Sequence, residues 1–154
     1  MKKAIYIFVL FLWAIPSGFA QLNLNTFEQA EQLSKVNPKP IVVFTHTNWC
    51  KYCKMMENAT FKNSKIVATL NEHFYFISFD AETKQDIVFN NHTFQFQPNG
   101  TNTGVHELAT ALATIDNQVI YPSLTILDYD NSIILQQASF LSAKALLLIL
   151  DKLK

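Results

Sequence analysis

Two cysteines stand three positions apart in the chain, at Cys50 and Cys53. Cysteines at this spacing can close a small disulfide, and a helix that begins at the first of them stabilises negative charge on its sulfur. We therefore expect Cys50 to be the nucleophile and Cys53, one turn into the helix, to be the resolving thiol. A thiolate at Cys50 attacks a substrate disulfide, forms a mixed disulfide and is released by Cys53. The chemistry predicted for the pair is thiol–disulfide exchange.

Two basic side chains near Cys50 favour its ionised form. Lys51 follows Cys50 directly, and His46 precedes it by four residues. Positive charge close to a thiol, together with the start of a helix, lowers the pKa of the thiol below its usual value of about 8.5. We therefore expect Lys51 and His46 to tune the pKa of Cys50.

Two other uses of the cysteine pair remain open at this point. One is a zinc or copper site, although structural zinc usually takes four ligands and the chain has no second cysteine pair. The other ligands would have to come from histidines at no familiar ligand spacing, namely His46, His73, His92 and His106. The second alternative is a static disulfide in a binding module without activity, although such a short loop constrains the unfolded chain little. We expect no metal.

The composition is that of one folded domain. The chain has 154 residues, of which 49% are hydrophobic and 16% are charged. This excludes a disordered, charge-repelled polymer and supplies ample apolar material for one core. Basic and acidic residues balance at 12 each, so the formal net charge is zero and we expect no nucleic-acid partner.

The N-terminus has the layout of a secretory signal peptide. Lys2 and Lys3 precede an apolar run over residues 4–15, and small residues follow at Gly18 and Ala20. The run is shorter than the roughly 20 residues that span a bilayer, which favours a cleaved signal over the alternatives of an uncleaved anchor or a core helix. We predict a signal peptide over residues 1–20, no stable membrane insertion after cleavage, and a periplasmic or secreted mature chain. Such a compartment is oxidising.

Hydrophobic periodicity and turn residues predict an α/β sandwich with a mixed sheet. Helices are predicted over residues 25–36, 50–61, 65–70, 104–114 and 142–153. Strands are predicted over residues 41–44, 74–79, 124–127 and 132–135, the last two as an antiparallel hairpin. The strand over residues 41–44 is continuously apolar and is expected to be buried on both faces of the sheet. Residues 85–97 fit either short strands or a surface excursion.

The cysteine motif and its surroundings resemble the thioredoxin superfamily. The run Trp-Cys-Lys-Tyr-Cys-Lys-Met-Met-Glu over residues 49–57 is followed by Thr60-Phe61, Val67, Leu70-Asn71, Phe74 and Asp80. Within the superfamily, the chain is similar to exported domains such as the periplasmic reductase domain of bacterial disulfide-interchange transporters. Tyr121-Pro122-Ser123 falls where the family carries its cis-proline. The resemblance covers roughly residues 26–154.

This resemblance implies a fold, a site and a set of partners. It implies a thioredoxin-like domain over residues 21–154, with a cis Pro122 that packs against the cysteine pair. The backbone of Tyr121 would bind an extended substrate segment, and Trp49 would be a partly exposed aromatic beside the site, with a core tryptophan as the alternative. The implied partners are protein thiols and disulfides and a membrane electron donor. No cofactor is implied beyond the redox-active Cys50–Cys53 disulfide.

The chain departs from thioredoxin at two places. Thioredoxin has a buried Asp six residues before its first cysteine, which helps to deprotonate the second, and Phe44 occupies that position here. Glu57, one helical turn beyond Cys53, is a candidate to handle this proton, with a solvated or capping role as the alternative. The dipeptide between the cysteines is Lys51-Tyr52 instead of Gly-Pro, so the family's redox potential does not transfer. Residues 85–117 form a segment longer than a minimal thioredoxin needs and are expected to shape partner choice.

Overall fold

The fold is built on a mixed four-stranded sheet, and the cysteine pair lies at the start of the helix that follows one of its strands. A computed structural model describes residues 21–154, and the predicted signal peptide lies outside the described residues. The helices in chain order are α1 (Phe27–Val36), α2 (Lys51–Asn58), α3 (Ser64–His73), α4 (Glu107–Ala113) and α5 (Ala143–Leu150). The strands are β1 (Ile41–His46), β2 (Tyr75–Asp80), β3 (Ile87–Phe89), β4 (His92–Phe94), β5 (Phe96–Pro98), β6 (Gly104–His106), β7 (Thr114–Ile115), β8 (Gln118–Val119), β9 (Ser123–Leu127) and β10 (Ile133–Ala138).

The order of strands in the main sheet is β10-β9-β1-β2. Strand β1 runs parallel to β2 and antiparallel to β9, and β9 and β10 form the predicted hairpin. His46 pairs with Asp80, and Thr45 pairs with Ser123. The end of β1, the end of β2 and the start of β9 therefore meet at one edge of the sheet. The cysteines follow β1 at this edge.

All apolar residues of strand β1 are buried, because β1 lies inside the sheet between β9 and β2. Val42 and Phe44 face a core that holds both cysteines and residues of α2, α3 and α5. Ile41 and Val43 face a second core on the other side, formed with residues of α1 and α4. Alternation of side chains along a strand places successive residues on opposite faces, so a continuous apolar run is buried twice. The predicted α/β architecture with a mixed sheet is confirmed.

Helix α1 begins where its sequence supplies a capping box. The Thr26 hydroxyl accepts from the Gln29 amide at 3.2 Å, and the Gln29 side chain accepts from the Thr26 amide at 2.9 Å. Two otherwise unpaired donors of the first turn are thereby satisfied. Thr26 is one of the two N-caps predicted for this helix.

The prediction of a helix over residues 104–114 is wrong for the first three residues. Residues 104–106 form strand β6, which pairs with β5, and helix α4 begins only at Glu107. His106 is fully buried and caps this helix, since its Nδ1 accepts from the Leu108 amide at 3.2 Å. The carbonyl of Gln85 lies 3.1 Å from its Nε2. These long-range partners override the local helical spacing.

Other helix boundaries also differ from prediction. The helix predicted over residues 50–61 ends at Asn58 and continues as a short 3₁₀ helix, Thr60–Lys62. The closing helix ends at Leu150, three residues before the predicted limit. For residues 85–97 the sequence left two alternatives, and the structure shows short strands. Strand β3 pairs with β4, and β5 pairs with β6. Within residues 21–154, no helix is long and apolar enough to cross a membrane.

Candidate functional site

Cys50 and Cys53 are joined as a disulfide at the start of α2. Cys50 is the N-cap residue of this helix, in extended conformation, and its Sγ accepts from the Cys53 amide at 3.1 Å. The two Cα atoms lie 5.2 Å apart. The unpaired amides of the first helical turn point toward the N-cap, so they stabilise negative charge on the Cys50 sulfur. This is the placement predicted for a nucleophilic thiolate.

The two cysteines differ in access to solvent. Cys50 keeps 6% of its surface exposed, whereas Cys53 is fully buried. A sulfur must be reached by its partner to take part in exchange. Cys50 is therefore the less buried of the two cysteines.

The peptide bond between Tyr121 and Pro122 is cis, as the resemblance implied. Pro122 is buried and directly precedes Ser123, the first residue of β9. Ser123 pairs with Thr45, near the end of β1, so the proline loop lies at the sheet edge that carries the cysteines. Tyr121 packs against the core that contains both sulfurs.

Trp49 is an exposed aromatic beside the disulfide. Its surface is 66% exposed, so it is not a core tryptophan. Its Nε1 donates to Glu82 Oε1 at 3.0 Å, and its ring lies edge-on to that of Tyr121 with 5.9 Å between centroids. The hydrogen bond and the aromatic contact fix the orientation of an otherwise exposed ring.

The hydroxyl of Tyr121 is buried without a hydrogen-bond partner. Burial raises the pKa of Tyr121 to about 12, and the carboxylates of Glu82 and Asp80 add to this effect. Both carboxylates disfavour a second negative charge nearby. Tyr121 is therefore a neutral phenol at physiological pH.

His46 and Glu57 form a partly buried pair under α2. His46 Nδ1 lies 3.7 Å from Glu57 Oε1, and Nε2 lies 3.1 Å from the Ser78 hydroxyl. Glu57 also accepts from Lys54 Nζ at 2.8 Å. A cavity of about 560 Å³ reaches both Glu57 and Ser78. Glu57 is thus the member of the pair that lines this cavity.

A family model described as a thioredoxin-like domain matches residues 27–154. The chain belongs to the thioredoxin-like domain family. The resemblance inferred from the cysteine motif and the proline loop is confirmed, and so is the thioredoxin-like fold. Its Cys50–Cys53 pair is of the thiol–disulfide exchange type.

A curated relative and two solved structures place this thioredoxin-like domain among similar proteins. Thiol:disulfide interchange protein DsbD of Campylobacter jejuni is 32% identical over 50 residues, which are 32% of this chain and 9% of that protein. The structure of DsbH oxidoreductase has a TM-score of 0.63 at 20% identity, covering 91% of this chain and 90% of its own. The C-terminal domain of Neisseria meningitidis DsbD has a TM-score of 0.52 at 17% identity, covering 81% and 90%. The chain spans about a tenth of the length of this curated relative.

The structure brings some predicted site residues of this thioredoxin-like domain together and separates others. Trp49 and the Tyr121-Pro122 loop flank the cysteines, and Lys51 is exposed next to Cys50. His46 and Glu57 lie against each other, and the His46 ring also contacts Phe44 and Ser78. His46 is thus placed toward the Glu57 side of α2.

Sequence reasoning missed Glu82 and Phe140. Glu82 lies 33 positions from Trp49, and no local pattern links the two. Phe140 lies in the loop before α5, with its ring centroid 6.4 Å from that of Tyr52. Both are recognised only once the loops are folded around the disulfide.

The histidines weighed as zinc ligands are dispersed. His46 is on β1, His106 caps α4, His73 ends α3 and His92 begins β4. Among residues 21–154, no three His, Cys, Asp or Glu side chains cluster as metal ligands.

Burial of His46 gives a prediction for the pH dependence of stability. Burial lowers the pKa of His46 below its ordinary value of 6.5, and Lys54 lowers it slightly, whereas Glu57 and Asp80 oppose this shift. The unfolded chain therefore binds the proton more readily, so stability falls as the pH drops below 6.5 through the folded pKa. Urea denaturation between pH 7.5 and pH 5 should show that the free energy of unfolding falls more steeply for wild type than for His46→Gln. If the free energy of unfolding changes with pH in the same way for both proteins, the lowered pKa of His46 is wrong.

Proposed function

We propose that this protein is an exported thiol–disulfide oxidoreductase that reduces or exchanges disulfides in other proteins. The observation that carries the proposal is the placement of Cys50 as the N-cap residue of α2, where it keeps some exposed surface, whereas Cys53 is fully buried. Family membership and the cis Pro122 at the same sheet edge support it.

The reduced dithiol acts in two steps. The Cys50 thiolate attacks a disulfide of the partner, which breaks that bond, forms a mixed disulfide and expels one partner thiolate, which takes up a proton. Cys53 loses its proton and attacks the Cys50 sulfur, which releases the second partner thiolate. The partner gains two electrons as a dithiol, and this chain is left with the Cys50–Cys53 disulfide. An external dithiol donor, which we propose to be a membrane protein, returns the two electrons.

The surrounding residues divide the tasks of binding and proton transfer. Trp49, Tyr121 and Pro122 border the accessible sulfur, where the backbone of Tyr121 binds an extended segment of the partner. Lys51 favours the Cys50 thiolate through its positive charge. His46 contributes indirectly, since its contact is with Glu57.

Glu57 is proposed to receive the proton of Cys53. Glu57 follows Cys53 by four positions, so the two side chains lie on the same side of α2. Phe44 is apolar and fully buried at the position of thioredoxin's carboxylate, so it cannot take this proton. The cavity beside Glu57 offers a route to water.

Reduction of insulin by the dithiothreitol-charged protein tests the activity. We expect turnover by wild type well above a Cys50→Ala control, because only an accessible thiolate starts the exchange. Equal rates for the two proteins would favour a binding module with a static disulfide. Equilibration with glutathione gives the direction of the reaction: a redox potential of about −270 mV supports a reductant, and one of about −120 mV supports an oxidant.

Export is a separate part of the proposal. The carbonyl of Gln21 accepts from the Asn71 side chain at 2.8 Å, and the Asn23 amide donates to the same side chain at 2.9 Å. These hydrogen bonds hold Gln21 and Asn23, at the start of the predicted mature chain, against α3. Mass spectrometry of protein from the native cell envelope should give a chain that starts at Gln21. An intact N-terminus would contradict cleavage.

A further inference from the structure

A hydroxyl, an imidazole and a carboxylate lie in a row on the core side of α2. We call Ser78 on β2, His46 on β1 and Glu57 on α2 the serine cluster. The Ser78 hydroxyl lies 3.1 Å from His46 Nε2, and His46 Nδ1 lies 3.7 Å from Glu57 Oε1. One imidazole therefore faces the hydroxyl with one nitrogen and the carboxylate with the other. This is the order of groups that activates a serine for acyl transfer.

His46 is placed to act as the base of the serine cluster. Its Nδ1 is buried, and no hydrogen-bond partner for this atom lies among residues 21–154. A proton on Nδ1 faces Glu57, so Nε2 is the nitrogen that accepts from Ser78. Burial lowers the pKa of His46 below 6.5, so the imidazole is neutral at physiological pH, as a base must be. The charged groups around it are Glu57 and Lys54 on α2 and Asp80 on β2.

Ser78 is exposed and lines the cavity of about 560 Å³ that also reaches Glu57. The cavity lies between β2, α3 and the stretch of chain before α1. Most of its lining is apolar, and these residues are Leu22, Leu24, Phe44, Phe61, Val67 and Phe76. An apolar cavity with a few polar groups at one end binds an alkyl chain and orients its polar head. An acyl chain in this cavity brings its carbonyl carbon to Ser78.

The backbone of β2 supplies a hydrogen-bond donor at the same place. Strand β2 is an edge of the main sheet, and the Phe76 carbonyl accepts from the Asn25 amide at 2.9 Å on its outer side. Backbone groups of alternate residues in a strand point to the same side, so the Ser78 amide also points outward. An amide next to the nucleophile stabilises the oxyanion that forms when the hydroxyl attacks a carbonyl.

We propose that the serine cluster is a second catalytic site, which hydrolyses esters of short to medium alkyl carboxylic acids. Ser78 Oγ attacks the ester carbonyl carbon, and His46 transfers the hydroxyl proton to the leaving alcohol as the ester C–O bond breaks. Water then attacks the acyl–Ser78 ester, and His46 transfers a proton from this water to Ser78 Oγ, which releases the carboxylic acid. Glu57 acts through His46 as a positioning residue.

This activity goes beyond the proposed function and does not depend on the cysteines. The reaction consumes an ester and water and transfers no electrons. In the oxidised protein Cys53 has no proton to transfer, so Glu57 is available to His46. The two activities are therefore measured separately, ester hydrolysis with the disulfide closed and insulin reduction with the dithiol.

Hydrolysis of p-nitrophenyl hexanoate by the oxidised protein tests the proposal. The closed disulfide removes the Cys50 thiolate, which also cleaves such esters. We expect Ser78→Ala to lower kcat/KM at least about 100-fold, since it removes the nucleophile. Ser132→Ala is the matched control, because Ser132 is an exposed serine before β10, at the opposite edge of the sheet. Its kcat/KM should stay within about twofold of wild type.

The acyl chain tests the role of the cavity. We expect kcat/KM for p-nitrophenyl hexanoate to exceed that for the acetate by about tenfold, because the longer chain fills more of the apolar lining. Equal values for the two esters would overturn the assignment of the cavity as the acyl site.

Covalent labelling identifies the nucleophile without relying on turnover. Ser78 Oγ should displace fluoride from an alkyl fluorophosphonate, which leaves one phosphonyl group per chain on the peptide that contains Ser78. Mass spectrometry of the digested wild-type protein measures this adduct. Labelling at another residue, or no labelling, would overturn the proposal even if Ser78→Ala fails to fold.

The pH profile tests the roles of His46 and Glu57. Activity should fall as the pH drops through the pKa of His46, because the protonated imidazole is no longer a base. Burial lowers this pKa and Glu57 raises it, so Glu57→Gln should move the acid limb of the kcat/KM profile to lower pH. A limb that stays in place would contradict the positioning role. Equal ester hydrolysis by wild type and Ser78→Ala would overturn the second site and leave the proposed function standing.

Discussion

Replacement of Cys53 by alanine is expected to convert the protein from a turnover catalyst into a covalent trap. Cys50 keeps its N-cap position and its accessible surface, so its attack on a partner disulfide proceeds. The second step has no thiol, because Cys53 is the other cysteine of the chain. Multiple-turnover reduction of insulin should fall at least about 100-fold, while a mixed disulfide accumulates toward one partner per chain.

Non-reducing gel electrophoresis with mass spectrometry measures the trapped species. Cys50→Ala is the matched control, since it keeps one cysteine but leaves only the fully buried Cys53. No adduct is expected with this control. An adduct on Cys50→Ala equal to that on Cys53→Ala would show that the assigned roles of the two sulfurs are wrong. Applied in the native compartment, the Cys53→Ala variant would also identify the partner.

Truncation of Phe44 is expected to be among the most destabilising single changes in the core. Phe44 is fully buried on β1, and its ring lies 4.7 Å from that of Phe61 and 5.3 Å from that of His46. Phe44→Ala removes this aromatic contact area and leaves a cavity, which typically costs about 3–5 kcal/mol. A domain of this size is stable by only about 5–15 kcal/mol, so much of its stability would be lost.

A substitution series at Phe44 separates packing from charge. Phe44→Leu should cost less than Phe44→Ala because it keeps more of the buried volume. Phe44→Asp, which restores the residue type found in thioredoxin, should cost more because it also buries a carboxylate among apolar side chains. Free energies of unfolding from urea denaturation of the oxidised protein measure the series.

Leu148→Ala is the control for the Phe44 series. Leu148 is 59% exposed on α5, so its truncation should change the free energy of unfolding by no more than about 0.5 kcal/mol. If Phe44→Asp is as stable as wild type, the core at this position accepts a carboxylate, and the case for Glu57 as proton acceptor is weakened.

Local patterns predicted the central elements of this fold well. The apolar run that begins at Ile41 predicted a strand buried on both faces, and both faces of β1 are buried. Such runs are reliable because they need no information from distant residues. The helix start at Cys50 also followed from the local sequence, whereas the cis bond before Pro122 was implied by the family resemblance.

Elements that depend on distant contacts were predicted poorly. The spacing of apolar residues after Gly104 favours a helix, yet residues 104–106 pair with β5 and His106 caps the helix that follows. The turn between β3 and β4 consists of Asn90 and Asn91, both with positive φ. Two adjacent Asn in this conformation are typical of a tight hairpin, so this signal was present but was not decisive without the pairing strand.

The sequence by itself was enough to predict the chemistry and its order, because two cysteines at this spacing at a helix start are expected to differ in access and in charge stabilisation. Only the tertiary structure decided what surrounds them. The Trp49–Glu82 hydrogen bond, the His46–Glu57 pair and the Tyr52–Phe140 contact each join separate segments. Such contacts depend on how loops of variable length close over the sheet edge, and side-chain periodicity carries no record of loop closure. The predicted sulfur chemistry is therefore local in origin, and the surface around the disulfide is a product of packing.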